Sequence, residues 1–80
     1  MKYELFQRVA LAQDLPEKRL QRGDMVTIVD RHPASGGEPG YSIEVFNALG
    51  ETIAATVVAE SCLQPLTAND VMHVRSLAEA

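Results

Sequence analysis

The chain has 80 residues, 46% of them apolar and 22% charged, with seven Lys and Arg against eleven Asp and Glu for a net charge of −4. A chain of this length forms one domain with a small core, burying only about 60–65% of its unfolded surface. The apolar content excludes a disordered chain, the single Cys62 excludes an intramolecular disulfide, and the acidic balance argues against a phosphate-neutralising surface.

The start, Met1-Lys2-Tyr3-Glu4, brings in an acid early and no long apolar core follows, so a signal peptide is not expected. The apolar stretch Thr52–Ala59 has eight residues, against the roughly 20 that a membrane-spanning helix needs. A small secreted domain usually carries several cysteines. The expectation is a soluble cytoplasmic protein with no membrane association.

Gly, Pro and Asn divide the chain into short runs. Leu5 to Ala12 is the first β-type run, with Val9 and Leu11 alternating with Arg8 and Ala10. Asp14-Leu15-Pro16 breaks it. Lys18, Arg19 and Arg22 then form a small basic cluster, interrupted by Leu20 and followed by Asp24, that reads as a solvated turn. Met25 to Arg31 is rich in β-branched residues and apolar on both faces, as a central strand is. Pro33 to Gly40 is a Gly- and Pro-rich loop.

Tyr41 to Asn47 has the clearest period of two, with Tyr41, Ile43 and Val45 on one face and Ser42, Glu44 and Phe46 on the other. In Thr52 to Val58, Ile53, Ala55 and Val57 share one side. Asn47-Ala48-Leu49-Gly50 joins these two runs as a hairpin loop ending in Gly, whose meeting faces are expected to send Ile43, Val45, Ile53 and Val57 into the core. Ser61 to Leu66 reads as a turn and a brief strand. Thr67-Ala68-Asn69-Asp70 matches a helix cap with an acid three residues on, and Val71, Val74, Leu77 and Ala78 follow at helical spacing, predicting an amphipathic helix over 68–78.

The expected fold is therefore mainly β. It is a small SH3-like barrel of five to six antiparallel strands over residues 1–67, with a C-terminal helix and tail over 68–80 packed on or beside it. Closing a small sheet removes edges that a domain of this size can hardly protect otherwise.

Four groups of residues together carry a family resemblance. They are Val9-Ala10-Leu11 before Asp14-Leu15-Pro16, the stretch Leu20 to Val29 containing Arg22-Gly23-Asp24, Tyr41 to Asn47 through Gly50 to Ala54, and Leu63-Gln64-Pro65-Leu66. In this order and spacing the chain resembles the bacterial family catalogued as domain of unknown function 4926, over roughly residues 4–67. The resemblance implies a small SH3-like fold in which Gly23-Asp24 turns the chain into a central strand. It implies no catalytic residues. Such chains often carry a second Gly after the Gly-Asp; this one has Val26, which departs from a close backbone approach there but not from a strand.

The residues offer little chemistry. A nucleophilic enzyme needs a base within hydrogen-bond reach, and Cys62 has only His32 or His73 to call on, with no third group. Zinc needs about four ligands, usually in close pairs, which one Cys and two distant His do not supply. Asp24, Asp30, Glu44 and Glu51 have no spacing that selects a catalytic pair. Gly36-Gly37 lacks the Lys-Ser or Lys-Thr of a phosphate loop. The expectation is no enzyme, no metal and no cofactor.

Three functional readings follow. The leading one is a protein-interaction module, an accessory or antitoxin- or immunity-type partner of a neighbouring gene product, with acidity suited to a basic target. An exposed Phe46, otherwise covered by the C-terminal helix, is a candidate contact. The second is nucleic-acid binding through Lys18, Arg19, Arg22 and Arg31, which the net charge makes the weaker. The third is self-association as a homodimer through strand edges at Leu5–Ala12 or Thr52–Val58 or through the helix stripe.

Overall fold

The computed structural model of the protein describes residues 1–34 and 36–77. The alternating runs become five strands: β1 (Arg8–Leu11), β2 (Met25–His32), β3 (Gly40–Phe46), β4 (Thr52–Ala59) and β5 (Leu63–Pro65). All neighbours are antiparallel and form one sheet in the order β4-β3-β2-β1-β5. The first four strands make a meander, and the chain then returns β5 to the free side of β1.

The register matches apolar positions across the sheet: Val9 with Val26, Ile28 with Ile43, Tyr41 with Val58, and Leu11 with Leu63. These eight residues form the core together with Tyr3, Leu15, Leu20 and Val45. Opposed residues in an antiparallel pair share a face, so one curved face collects the buried side chains. Val26 is a core residue.

The turns follow their residues. Pro16 opens a one-turn 3-10 helix, Pro16–Lys18, closed by Arg19 in the left-handed region at φ 58°. Gly23 takes φ 92°, which a Cβ would oppose, and Asp24 folds back so that its carboxylate accepts from the Gln21 amide at 2.7 Å. Gly50 takes φ 84° in the β3–β4 hairpin, where Asn47 Oδ1 accepts from the Leu49 and Glu51 amides at 2.9 Å each. A second 3-10 turn, Glu60–Cys62, leads into β5.

The hairpin forms as expected, but β4 turns its other face inward. Val57 is 62% exposed and Ile53 41%, whereas Val58 is 7% exposed. A register shift is the cause. Next to the turn Phe46 pairs with Thr52, but from Val45 onward the pairing runs Val45–Ala54, Ile43–Thr56 and Tyr41–Val58. Ile53 is the extra residue of a bulge. Continued without it, the turn register would set Ile53, Ala55 and Val57 opposite Val45, Ile43 and Tyr41. One added residue moves every side chain beyond it to the other face.

The expected helix over 68–78 is absent among the described residues: 68–77 contain no helix, and Ala78 lies outside them. The cap sequence makes a single turn, in which the Asp70 carboxylate accepts from the Thr67 amide at 2.6 Å and the Asp70 amide donates to Thr67 O at 3.1 Å. The chain then runs on without regular structure. A helix of this length gains little without a packed face, and Val71 and Val74 are 88% and 89% exposed. The contacts that hold the segment come later, at Arg75 and Leu77.

The inverted face of β4 is testable by paired truncation. Val58→Ala should cost about 1–3 kcal/mol from the lost burial and the cavity left behind. Val57→Ala should cost less than about 0.5 kcal/mol, as surface substitutions do. Urea unfolding of both variants measures the difference, and equal costs would contradict the register.

Candidate interaction surfaces

Two surfaces stand out, and both arise from the strand order. The first is the outer edge of β4, which no strand pairs among the described residues. Glu60 N–H donates to Pro39 O at 2.9 Å, which extends the β3–β4 ladder by one rung. Because an antiparallel ladder alternates, Ala54, Thr56 and Val58, beyond the bulge, turn their backbone groups to β3. Ala55, Val57 and Ala59 therefore turn their N–H and C=O groups to the open side. No residue from Thr52 to Ala59 is charged and none is Pro, so beyond the bulge at Ile53 the strand lacks the charges and prolines that usually blunt an edge. The outer face beside it carries Ala55 and Val57, with Ser42 and Glu44 of β3 and Val29 of β2 around a shallow depression.

The second surface surrounds the Gly23-Asp24 turn. The C-terminal segment crosses it and is tied by Arg75, whose Nε donates to Asp24 Oδ1 at 2.9 Å and whose Nη2 donates both to Asp24 Oδ2 and, at 3.3 Å, to Arg19 O. This fork matches the planar, two-pronged way in which Arg grips a carboxylate. Beneath the segment runs a groove lined by Leu20, Met25, Phe46, Ile53, Leu66 and Val71. Phe46 thus lies half-exposed beside an extended strap, not under a helix.

Burial pushes the Asp24 carboxyl up, but the Arg75 fork, the Gln21 amide and the Arg75 charge outweigh it and hold it below its ordinary value. At the opposite end of the sheet, Tyr41 donates its hydroxyl to Glu60 at 2.6 Å and accepts from the Tyr3 amide at 3.1 Å. Burial, then this bond to Glu60, raises the Tyr41 hydroxyl. The Tyr41 bond and the Lys2 amide lower Glu60.

The basic residues do not form one patch. Lys18, Arg19 and Arg22 sit on the exposed turn between β1 and β2, among Asp14, Glu17 and Asp24. Arg22 N–H donates to Asp14 Oδ1 at 2.8 Å. Arg31 lies near the far end of β2, about 20 Å away along the strand, and pairs with Glu4 at 3.3 Å. Cys62 is half-buried against the core and accepts from Gln13 Nε2 at 3.0 Å. His32 ends β2 beside Ser42 Oγ at 2.8 Å, and His73 is exposed on the strap. Among the described residues no group of three His, Cys, Asp or Glu side chains could hold a metal ion, and no helix is long and apolar enough to cross a membrane.

Sequence reasoning missed Arg75, the residue that fixes the strap. Nothing local marks it, because its partner lies 51 positions away. It also missed Tyr3, whose ring meets that of Tyr41 edge-on at 5.5 Å.

These features describe a small antiparallel β domain with an open edge and a strapped groove. A family profile described as "Domain of unknown function (DUF4926)" matches residues 5–65, and the chain belongs to that family. The matched span takes in all five strands and stops before the strap. No curated protein and no solved structure matches the chain.

The Asp24–Arg75 tie has a definite pH signature. A carboxyl lowered in the folded state contributes stability that is present above its unfolded value of about 3.9 and is lost as pH falls through the folded value. The amide signals of residues 71–77 should therefore move below pH ~4 together with the Asp24 carboxyl. In Arg75→Gln the Asp24 carboxyl should titrate at higher pH. Carbon-detected NMR titration checks both; an unchanged Asp24 in the variant would contradict the tie.

Proposed function

We propose that the protein is a protein-interaction module, built as an SH3-like barrel, that takes up a partner's strand along the outer edge of β4. The open and uncharged Thr52–Ala59 edge carries this reading. Strand addition supplies main-chain hydrogen bonds to the outward groups of Ala55, Val57 and Ala59, while side chains at alternate positions give specificity. The barrel assignment is supported by the meander of four strands, the return of β5 to β1 and the 3-10 turn before it.

The role is binding and not catalysis. The partner best suited to a net charge of −4 is a basic protein, steered by charge and then held at the edge. An accessory, antitoxin- or immunity-type protein acting on the product of a neighbouring gene fits that description. Nucleic-acid binding draws no support from the placement of the cations, since Arg31 is remote from Lys18, Arg19 and Arg22.

Co-expression with the products of adjacent genes tests the reading. The wild-type chain should retain a partner that Val57→Lys loses, with the variant's fold unchanged because Val57 is exposed. A partner kept equally by both proteins, or binding only to RNA or DNA at low salt, would overturn it.

A further inference from the structure

We propose that the groove beneath the strap is a docking site for an extended segment of a partner protein, one that carries a single arginine among large apolar residues. That arginine takes the place of Arg75 on Asp24, and the strap is the resident competitor. The site is separate from the β4 edge and does not depend on the edge-docking reading.

Three observations carry this. First, the strap crosses the groove without filling it. Val71, Met72 and Val74 are all exposed, and the groove residues Phe46, Ile53 and Leu66 remain between 37% and 45% exposed. An apolar surface left open in this way marks an interaction site. The groove holds about 1100 Å³, above the roughly 300–1,000 Å³ of small-ligand pockets, so a peptide segment suits it better than a small molecule.

Second, the chemistry at Asp24 selects arginine. Three acceptors surround one guanidinium: Arg75 Nε donates to Asp24 Oδ1, and Nη2 donates to Asp24 Oδ2 and Arg19 O. A lysine ammonium is a compact point charge and does not reproduce this planar fork. The Gln21 amide stays on the carboxylate throughout. Exchange therefore swaps one guanidinium for another and leaves no partly buried charge unpaired. The net charge of −4 also favours a cationic segment.

Third, the strap is an addition to the sheet and not a part of it. The last strand ends at Pro65. Leu20, Asp24, Met25, Phe46 and Ile53 lie inside the span matched by the family profile, and the strap lies outside it. Past the Thr67–Asp70 turn, the Arg75 fork and Leu77 tie the strap to the domain. Its release breaks no rung of the sheet.

NMR titration of the full chain carrying Arg75→Gln, which releases Asp24, tests the proposal. Three peptides serve as probes: the strap sequence of residues 70–77, the same peptide with Val71→Leu and Val74→Leu, and that leucine peptide with Arg75→Lys. The leucine peptide should give saturable shifts at Met25, Phe46 and Ile53, and should bind several-fold more tightly than either of the others. The wild-type chain should bind it several-fold more weakly, because the tethered strap competes at high effective concentration. Adding Asp24→Asn to Arg75→Gln should weaken binding several-fold again. If that double variant fails to fold, Phe46→Asp, at a half-exposed groove position, should weaken binding in its place. The peptide-free wild type should sediment as a monomer. No saturable shift, equal binding of the lysine peptide, equal binding by the wild type and Arg75→Gln, or shifts along Ala55–Ala59 instead of the groove would overturn the proposal. A wild-type dimer that the leucine peptide dissociates would assign the groove to a second copy's strap and overturn it too.

Discussion

The hydroxyl of Tyr41 is the point on which the structure turns. Its side chain is fully buried, and a buried hydroxyl without partners costs about 1–3 kcal/mol. Here it is satisfied twice, by the Tyr3 amide and the Glu60 carboxylate. Those two bonds draw the N-terminal segment and the turn after β4 onto the same residue. The Glu60 amide meanwhile holds Pro39 O. The C-terminal end of β4 is therefore fixed against β3 both by a backbone rung and by a side-chain contact into the core.

That anchor decides which groups of β4 are available. The turn at Gly50 starts the hairpin in one register and the anchored end requires the other. The bulge at Ile53 absorbs the difference. The result is a strand whose small and moderately sized residues, Ala54, Thr56 and Val58, face the core, while Ala55 and Val57 face outward. A hydrophobic edge and a hydrophobic outer face in the same strand are consequences of that single inserted residue.

The strand positions were legible in the sequence, and β3 also has a pattern that fixes which face is buried. Tyr41, Ile43 and Val45 alternate with polar neighbours, and the structure buries all three. β4 was ambiguous. Thr-Ile-Ala-Ala-Thr-Val-Val-Ala offers apolar residues on both faces, and a bulge carries no composition signal there. The C-terminal pattern misled for a different reason: Val71, Val74 and Leu77 have helical spacing, but the sheet presents no surface that receives them as a stripe. Long-range pairs such as Asp24–Arg75 leave no local trace. The family relationship extends over the sheet and adds no site, so the functional reading depends on edge geometry that only the register reveals.

Amide hydrogen exchange along β4 in dilute solution tests the central claim most directly. With β4 as a free edge in this register, the amides of Ala54, Thr56 and Val58 are protected and those of Ala55, Val57 and Ala59 exchange quickly. Uniform protection along the strand, or protection at the odd positions, would contradict the account.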